Sequence, residues 1–442
     1  MPRVDSERMT STHGRATADD TRPTTPSLYR LPSIAVAIVA LFLLATPLSS
    51  SVEAAVTGPY RASSGEPLSP GITYERGTMW TTGGRRQDVH VATVELLRPE
   101  IKVKSVLSDD KVVGKEVVRK MVDRRRRPGF RPMVAVNGDM STFGRIDAYA
   151  APRSMAVSNR ELLAAYPCVR PVLGVDADGS ARISNVRAHI TLTLPGETEP
   201  RRVERLNTHR DDDAVVLFTK RFARSTRTRP RGVEVILRLE GRVLANGTQT
   251  VQVLRVRRGL GDTPIRAGQA VLSVDNPEEA WVYELVPGQS LMLQTQVVKR
   301  VDNACGGKVK AAPGWGDIAE AQGGNKFTVR DGVVHVPTPE DYSGGWERHP
   351  RTGVGLTADG RLLMVTVDGR RKGSRGVTLE EMGQLMVSLG AEHAFNLDGG
   401  GSTVMARQNK RTGKFVVANK PSDGKQRPAT QALAAFSVKL GP

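Results

Sequence analysis

Between Gly174 and Val298 the chain is broken repeatedly by turn-forming pairs, at Asp178-Gly179, Pro195-Gly196, Asn246-Gly247 and Pro287-Gly288. That spacing leaves room for strands joined by tight turns and little else. Asp176-Ala-Asp178-Gly179 has the opening of a calcium-binding loop but not its remainder, so a hairpin turn is the better reading.

The flanking sequence adds strands and a few helices. His90 to Leu97 and Ile101 to Leu107 alternate or run apolar over strand length. Val112 to Arg125 reads as a helix with Val113, Val117, Val118 and Met121 on one face. Pro132 to Val136 is a buried-type strand delivering Asn137-Gly138-Asp139 at its end. Further on, Gly353 to Thr357 and Arg361 to Val367 flank Asp359-Gly360 as a hairpin. Thr378-Leu-Glu-Glu381 is a capping box, in which Thr and Glu satisfy orphan amides at a helix start. Met382, Leu385, Met386 and Leu389 then give that helix one buried face, and Gly390 is placed to end it. A short strand, Ala394 to Leu397, follows. The fold class is mixed α/β (α+β) and strand-rich: a central sheet, a few flanking helices, and a β-rich middle segment (174–300) inside one domain (56–442).

The N-terminus is of another kind. Residues 1–30 are a polar extension, and 31–55 hold an apolar run, densest from Ile34 to Ala45, followed by Val52-Glu-Ala54-Ala55. The run fits a signal-peptide h-region and is short for a membrane helix. The implied location is secreted or cell-surface, with an uncleaved signal anchor as the alternative and no stable membrane insertion after cleavage. Residues 1–54 hold five Arg and five acids, so their removal leaves the net charge of +18 unchanged. A basic surface suits nucleic acid, anionic wall polymers or solubility alone, and export makes nucleic acid the weaker reading. With aromatics at 5% and no recognition motif, nucleic acid is not an expected partner. The only cysteines, Cys168 and Cys305, carry no zinc-site signal and are free to pair outside the cytoplasm.

Polar groups collect where apolar strands end: Asn137-Gly138-Asp139, Asp368-Gly369-Arg370 and Asn396-Leu397-Asp398. Gly399, Gly400 and Gly401 let backbone amides approach a ligand and form an anion nest, with Ser402 and Thr403 adding hydroxyls. Taken in order, Arg351-Thr-Gly-Val-Gly355, Val367-Asp-Gly-Arg370, Gly376 to Glu381, Leu389-Gly390-Ala391 and Asn396 to Ser402 resemble the signature series of the phosphodiester glycosidase family. Ala135 to Asp139 upstream and Asn419 to Gly424 with Arg427 downstream extend the resemblance to nearly the whole exported chain. Two departures stand out: no Pro follows Gly323-Gly324, and Asp139 stands where many relatives carry an aromatic or small residue.

The resemblance implies hydrolysis of a sugar-1-phosphodiester, or of such linkages in a phosphorylated glycan, with no cofactor required. Acidic residues near phosphate are also able to hold a divalent cation, but no spacing demands a metal. The departing phosphate monoester has a second pKa near ~6, so cationic stabilisation matters more than protonation of the leaving group. An oxocarbenium-like centre needs a carboxylate beside it; Asp398 is the first candidate and Asp368 the second. Arg351 and Arg370 are the expected phosphate clamps. Asn137, Asp139 and Asn396 are expected to orient sugar hydroxyls or water. A non-catalytic glycopolymer-binding protein at the cell surface is the alternative. Mass spectrometry of the secreted protein should find a mature N-terminus within a few residues of Ala55; a secreted chain beginning before Ile34 would show that the signal is not cleaved.

Overall fold

A computed structural model describes residues 60–439, apart from 82, 144–149, 211–212, 302–304, 306 and 337–344. The polar extension and the apolar run expected to direct export lie outside the described residues. Strands dominate, and the described residues hold three α-helices.

Two antiparallel sheets lie face to face. The larger has eight strands, in the order Arg61–Ser69, Ile72–Trp80, Arg86–Glu95, Arg361–Val367, Arg351–Thr357, Ala391–Asn396, Lys326–Arg330 and Val333–Val334. The other has five: Phe415–Val417, Met405–Gln408, Phe130–Asn137, Gln431–Val438 and Ile101–Leu107. The period-2 alternation of side chains sorts each strand between two cores. Ile72, Val94, Val354, Leu362, Met364 and Phe395 meet Val103, Val134, Val136, Met405 and Leu433 between the sheets. Leu363, Val365 and Val367 point the other way, onto Met382, Leu385 and Met386 of the helix Leu379–Ser388. On the outer face of the five-stranded sheet, Ala135, Ala406 and Ala434 pack against Val118, Met121 and Val122 of the helix Val118–Asp123. The strand-rich α+β fold expected from the sequence is present, and its centre is two facing sheets with a helix on each outer face.

The glycines of Arg351-Thr-Gly-Val-Gly355 explain how closely one helix sits. A Cβ on Gly353 would lie 2.3 Å from Met382 Cε, and one on Gly355 2.7 Å from Met386 Cε. The capping box forms as expected, Glu381 N donating to Thr378 Oγ1 at 3.1 Å and Thr378 N to Glu381 Oε2 at 3.0 Å. Gly390 ends the helix at φ 84°.

The helix expected over Val112 to Arg125 is shorter, starting only at Val118. Tertiary pairing has claimed the backbone before it: Val112 N donates to Arg221 O at 2.7 Å, and Glu116 exchanges amide bonds with Ala429 at 3.0 and 2.9 Å. The middle segment belongs to a third sheet of thirteen strands, which also takes in Ala156–Ser158 and Ile318–Gly323 and surrounds a core of its own. Asp176 to Gly179 is the turn of a hairpin between Arg170–Asp176 and Ala181–Thr193. Cys168 and Cys305 form a disulfide that joins positions 137 residues apart. Alkylation under denaturing, non-reducing conditions should therefore find no free thiol, and replacing both cysteines by Ser should lower stability by about 2–4 kcal/mol in chemical denaturation.

Candidate active site

Antiparallel pairing brings three strand ends together. In the larger sheet Arg351 lies opposite Val367 and Gly353 opposite Asn396, so Asp368 and Leu397-Asp398 leave the same edge. Phe130–Asn137 ends beside them from the facing sheet, and Gly138 O accepts the Asp398 amide at 3.1 Å. Asn137 is fully buried and binds across the gap. Its Nδ2 donates to Asp398 O at 2.8 Å, and its Oδ1 accepts from Thr352 Oγ1 at 2.8 Å and from Val404 N at 3.1 Å. It is a staple holding the turn, with its polar atoms already engaged.

The glycine turn is less open than a free nest. Gly399 N donates to Asp398 Oδ1 at 2.9 Å, Gly400 N to Pro350 O at 2.9 Å, and the amides of Ser402 and Thr403 to Gly399 O and Gly400 O. Cations supply the anion-attracting field instead. A Cβ on Gly400, which stands at φ 61°, would lie 3.1 Å from the Arg370 guanidinium; one on Gly401 would lie 2.1 Å from that of Arg427. Arg370 Nη2 is 3.2 Å from His349 Nδ1, and Arg427 pairs with Asp423 at 2.7 Å. Burial pushes the Asp398 carboxyl above the ordinary carboxylate range, and the Ser402 hydroxyl, the Gly399 amide, Arg427 and Lys115 only partly offset it. Lys115, hidden in sequence by the helical reading of its segment, is thus part of the site's electrostatics.

Two expected members are placed otherwise. Arg351 is buried, and its guanidinium donates to Val377 O at 3.1 Å, Glu347 O at 2.9 Å and Gly345 O at 3.5 Å. Those bonds brace the 345–347 segment, and the neighbouring Pro350 O accepts the Gly400 amide of the turn. Asp368 is 1% exposed and accepts from Asn419 Nδ2 at 3.1 Å and Lys420 N at 3.0 Å, with Arg371 Nη1 at 3.4 Å and His90 Nε2 at 3.9 Å. It anchors the downstream Asn419-Lys420 segment, and Asn419 in turn accepts the Met405 amide.

A second polar group adjoins the turn. Asp139 is buried next to Ser154 and Arg170, and its Oδ2 has no hydrogen-bond partner among the described residues. Arg170 Nη1 donates to Asn325 Oδ1 at 2.9 Å, while Asn325 N donates to Asn396 O at 2.8 Å. Asn325 Nδ2 and Asn396 Oδ1 are likewise buried without partners. Buried donors and acceptors left without partners suit bound water. Arg170 stands in no motif, and Asn325 follows Gly323-Gly324 with nothing in the sequence to mark it as a partner of Arg170. Among the described residues no group of three or more His, Cys, Asp or Glu side chains is arranged to hold a metal ion.

The strand-built scaffold thus carries a glycine turn between two arginines, Arg370 and Arg427. The chain belongs to the phosphodiester glycosidase family, whose model matches residues 214–436. Asn137, Asp139 and Lys115 lie upstream of that match and fold against it. The SPbeta prophage-derived uncharacterized protein YomE of Bacillus subtilis (strain 168) is 42% identical over 86 residues, 20% of this chain and 12% of that protein. The crystal structure of a hypothetical protein from Synechocystis superposes with a TM-score of 0.68 at 17% identity, over 86% of this chain and 64% of that one. A putative exported protein from Burkholderia pseudomallei K96243 superposes with a TM-score of 0.60 at 22% identity, over 80% of this chain and 74% of that one. The two superpositions establish the fold.

Burial raises the Asp139 carboxyl from 3.8 to about 6. The folded state then binds more protons than the unfolded state between about pH 4 and pH 6, so stability is greatest at the acid end and falls as pH rises through that window. Thermal melts from pH 4.5 to 7.5 should show Asp139→Asn gaining on the parent as pH rises, by about 2 kcal/mol across that range; a pH-independent difference would rule out the raised carboxyl.

Proposed function

We propose that this chain is an exported hydrolase that cleaves the bond between a sugar anomeric carbon and a phosphodiester in cell-wall or extracellular glycopolymers. The observation that carries the reading is a buried carboxyl, Asp398, on a glycine turn flanked by Arg370 and Arg427. The family supports the bond type, and the apolar run at Ile34 to Ala45 supports export.

In this reading the arginines neutralise the phosphate, whose charge grows as it leaves. Water bonds to the anomeric carbon while the carbon–oxygen bond breaks, its electron pair departing with the phosphate monoester. The water proton passes to Asp398 and then to solvent. Desolvation makes Asp398 a better proton acceptor than an exposed aspartate, and its ionised form steadies the developing cation. Asp139, Asn325 and Asn396 hold buried polar atoms without partners, and in this reading they meet sugar hydroxyls through bound water. Asn137, Asp368 and Arg351 act as positioning residues through the backbone they hold.

Asp398→Asn keeps the shape and removes the charge. Its turnover of a small sugar-1-phosphodiester, read as released free sugar, should fall at least ~10²-fold with a melting temperature no lower than the parent's. The acid limb of the parent's pH profile should lie above the ordinary carboxylate range. A folded variant with near-normal turnover would remove Asp398 from the reaction, and a parent that binds such compounds without cleaving them would favour the glycopolymer-binding alternative.

A further inference from the structure

Away from the glycine turn, cations gather along one groove. Its first part is a hollow of about 400 Å³ between the outer side of Ile101–Leu107, the 125–130 turn and the hairpin at Ser158 to Leu163. Lys102, Lys104, Arg125, Arg127 and Arg221 line it. A second hollow of about 340 Å³ shares Asp110 and Arg221 with the first and adds Lys111, Lys220 and Arg242. Eight cations thus face three carboxylates: Asp110, Glu161 and, beneath Lys104, Glu320.

Those carboxylates are already committed. Glu161 takes Arg221 at 2.7 Å, Glu320 takes Lys104 at 2.6 Å, and Asp110 takes Arg124 at 2.9 Å as well as Arg125. Lys102, Arg127, Lys220 and Arg242 have no carboxylate partner among the described residues. The crowding shows in Lys111, held below the ordinary lysine range by burial and by the charges of Lys220, Arg221 and Arg224. Like charges along a groove destabilise the fold and concentrate a ligand of opposite sign.

The chemistry of the lining favours a flexible anionic chain of sugars or polyols over nucleic acid. A base-stacking platform needs exposed aromatic faces. The groove's aromatics are Phe436, fully buried, and Phe130, which stacks on it at 4.5 Å and carries the Arg127 guanidinium 4.8 Å above its ring. The groove also leads towards the glycine turn. Lys111 lines its second hollow, and four residues on, Lys115 acts on the Asp398 carboxyl. Four residues span at most about 14 Å, roughly the scale of a few polymer repeats.

We propose that this groove is a secondary binding site for a linear, phosphodiester-linked glycan or polyol chain, holding the polymer while one of its linkages sits at the glycine turn. The choice of polymer rests on the function proposed above; the existence of an anion-binding groove does not. Lys102, Arg127 and Arg242 are the residues to test, because none pairs with a carboxylate and none belongs to the reacting site.

The experiment uses the full exported chain and a fluorescently labelled poly(glycerol phosphate) of about twenty units, read by anisotropy at low salt and again at high salt, where exposed charges are screened. Lys102→Glu/Arg127→Glu/Arg242→Glu should bind it at least tenfold more weakly than the parent, while releasing sugar from a small sugar-1-phosphodiester at the parental rate. The charge-preserving Lys102→Arg/Arg242→Lys should bind as the parent does, and melts confirm folding. If the triple-Glu variant misfolds, the Gln equivalents take its place. Unchanged binding by a folded triple variant overturns the groove, as does tighter binding of a dT20 oligonucleotide through the same residues. Failure of the parent to cleave the small compound overturns the proposed reaction alone, since anisotropy does not depend on turnover.

Discussion

The site depends on one buried amide. Asn137 ends a strand in one sheet, and its side chain reaches the Asp398 carbonyl and the Thr352 hydroxyl, both carried by strands of the other. A buried amide with both ends bonded fixes direction as well as distance, and leaving either end unpaired costs about 1–3 kcal/mol. The packing between the sheets sets their separation, but apolar contact alone tolerates small slides. The Asn137 bonds do not, so the glycine turn has one position relative to both sheets.

Around that staple each layer limits the next. The helix Leu379–Ser388 comes close to the larger sheet only because Gly353 and Gly355 present no Cβ to Met382 and Met386. The same strand begins at Arg351, whose guanidinium gathers the carbonyls of 345, 347 and 377. A motif that looks like a string of ligand contacts is thus largely a means of setting a helix, a loop and a strand end in register. The proposed site then comes down to a short list: Asp398 and the two flanking arginines.

The parts legible in sequence were those determined locally. The capping box, the i, i+3, i+4 pattern from Met382 and the turn pairs each describe interactions within a few residues, and the structure contains them. The helix expected from Val112 to Arg125 was not so determined, because its first turn pairs instead with Ala429 and Arg221, far along the chain. Side-chain direction was also out of reach. Nothing in the composition around Arg351 says that it turns towards carbonyls, or that Arg427, 76 positions later, lies over Gly401. The glycine turn itself was visible, but whether its amides were spent internally depended on Pro350, a neighbour supplied by strand pairing.

The disulfide has a bearing on how such a protein can vary. Cys168 and Cys305 bring the chain to within 4.5 Å between Cα atoms at the two ends of the middle segment. Most of the segment's apolar residues form their own core, apart from the one between the two facing sheets. A segment tied at its neck and packed largely on itself has most room to vary on the sides turned away from Arg221 and Phe222, whose carbonyls hold the amides of Val112 and Val113. The covalent link thus keeps one contact face fixed while leaving the rest of the segment the freer to diverge.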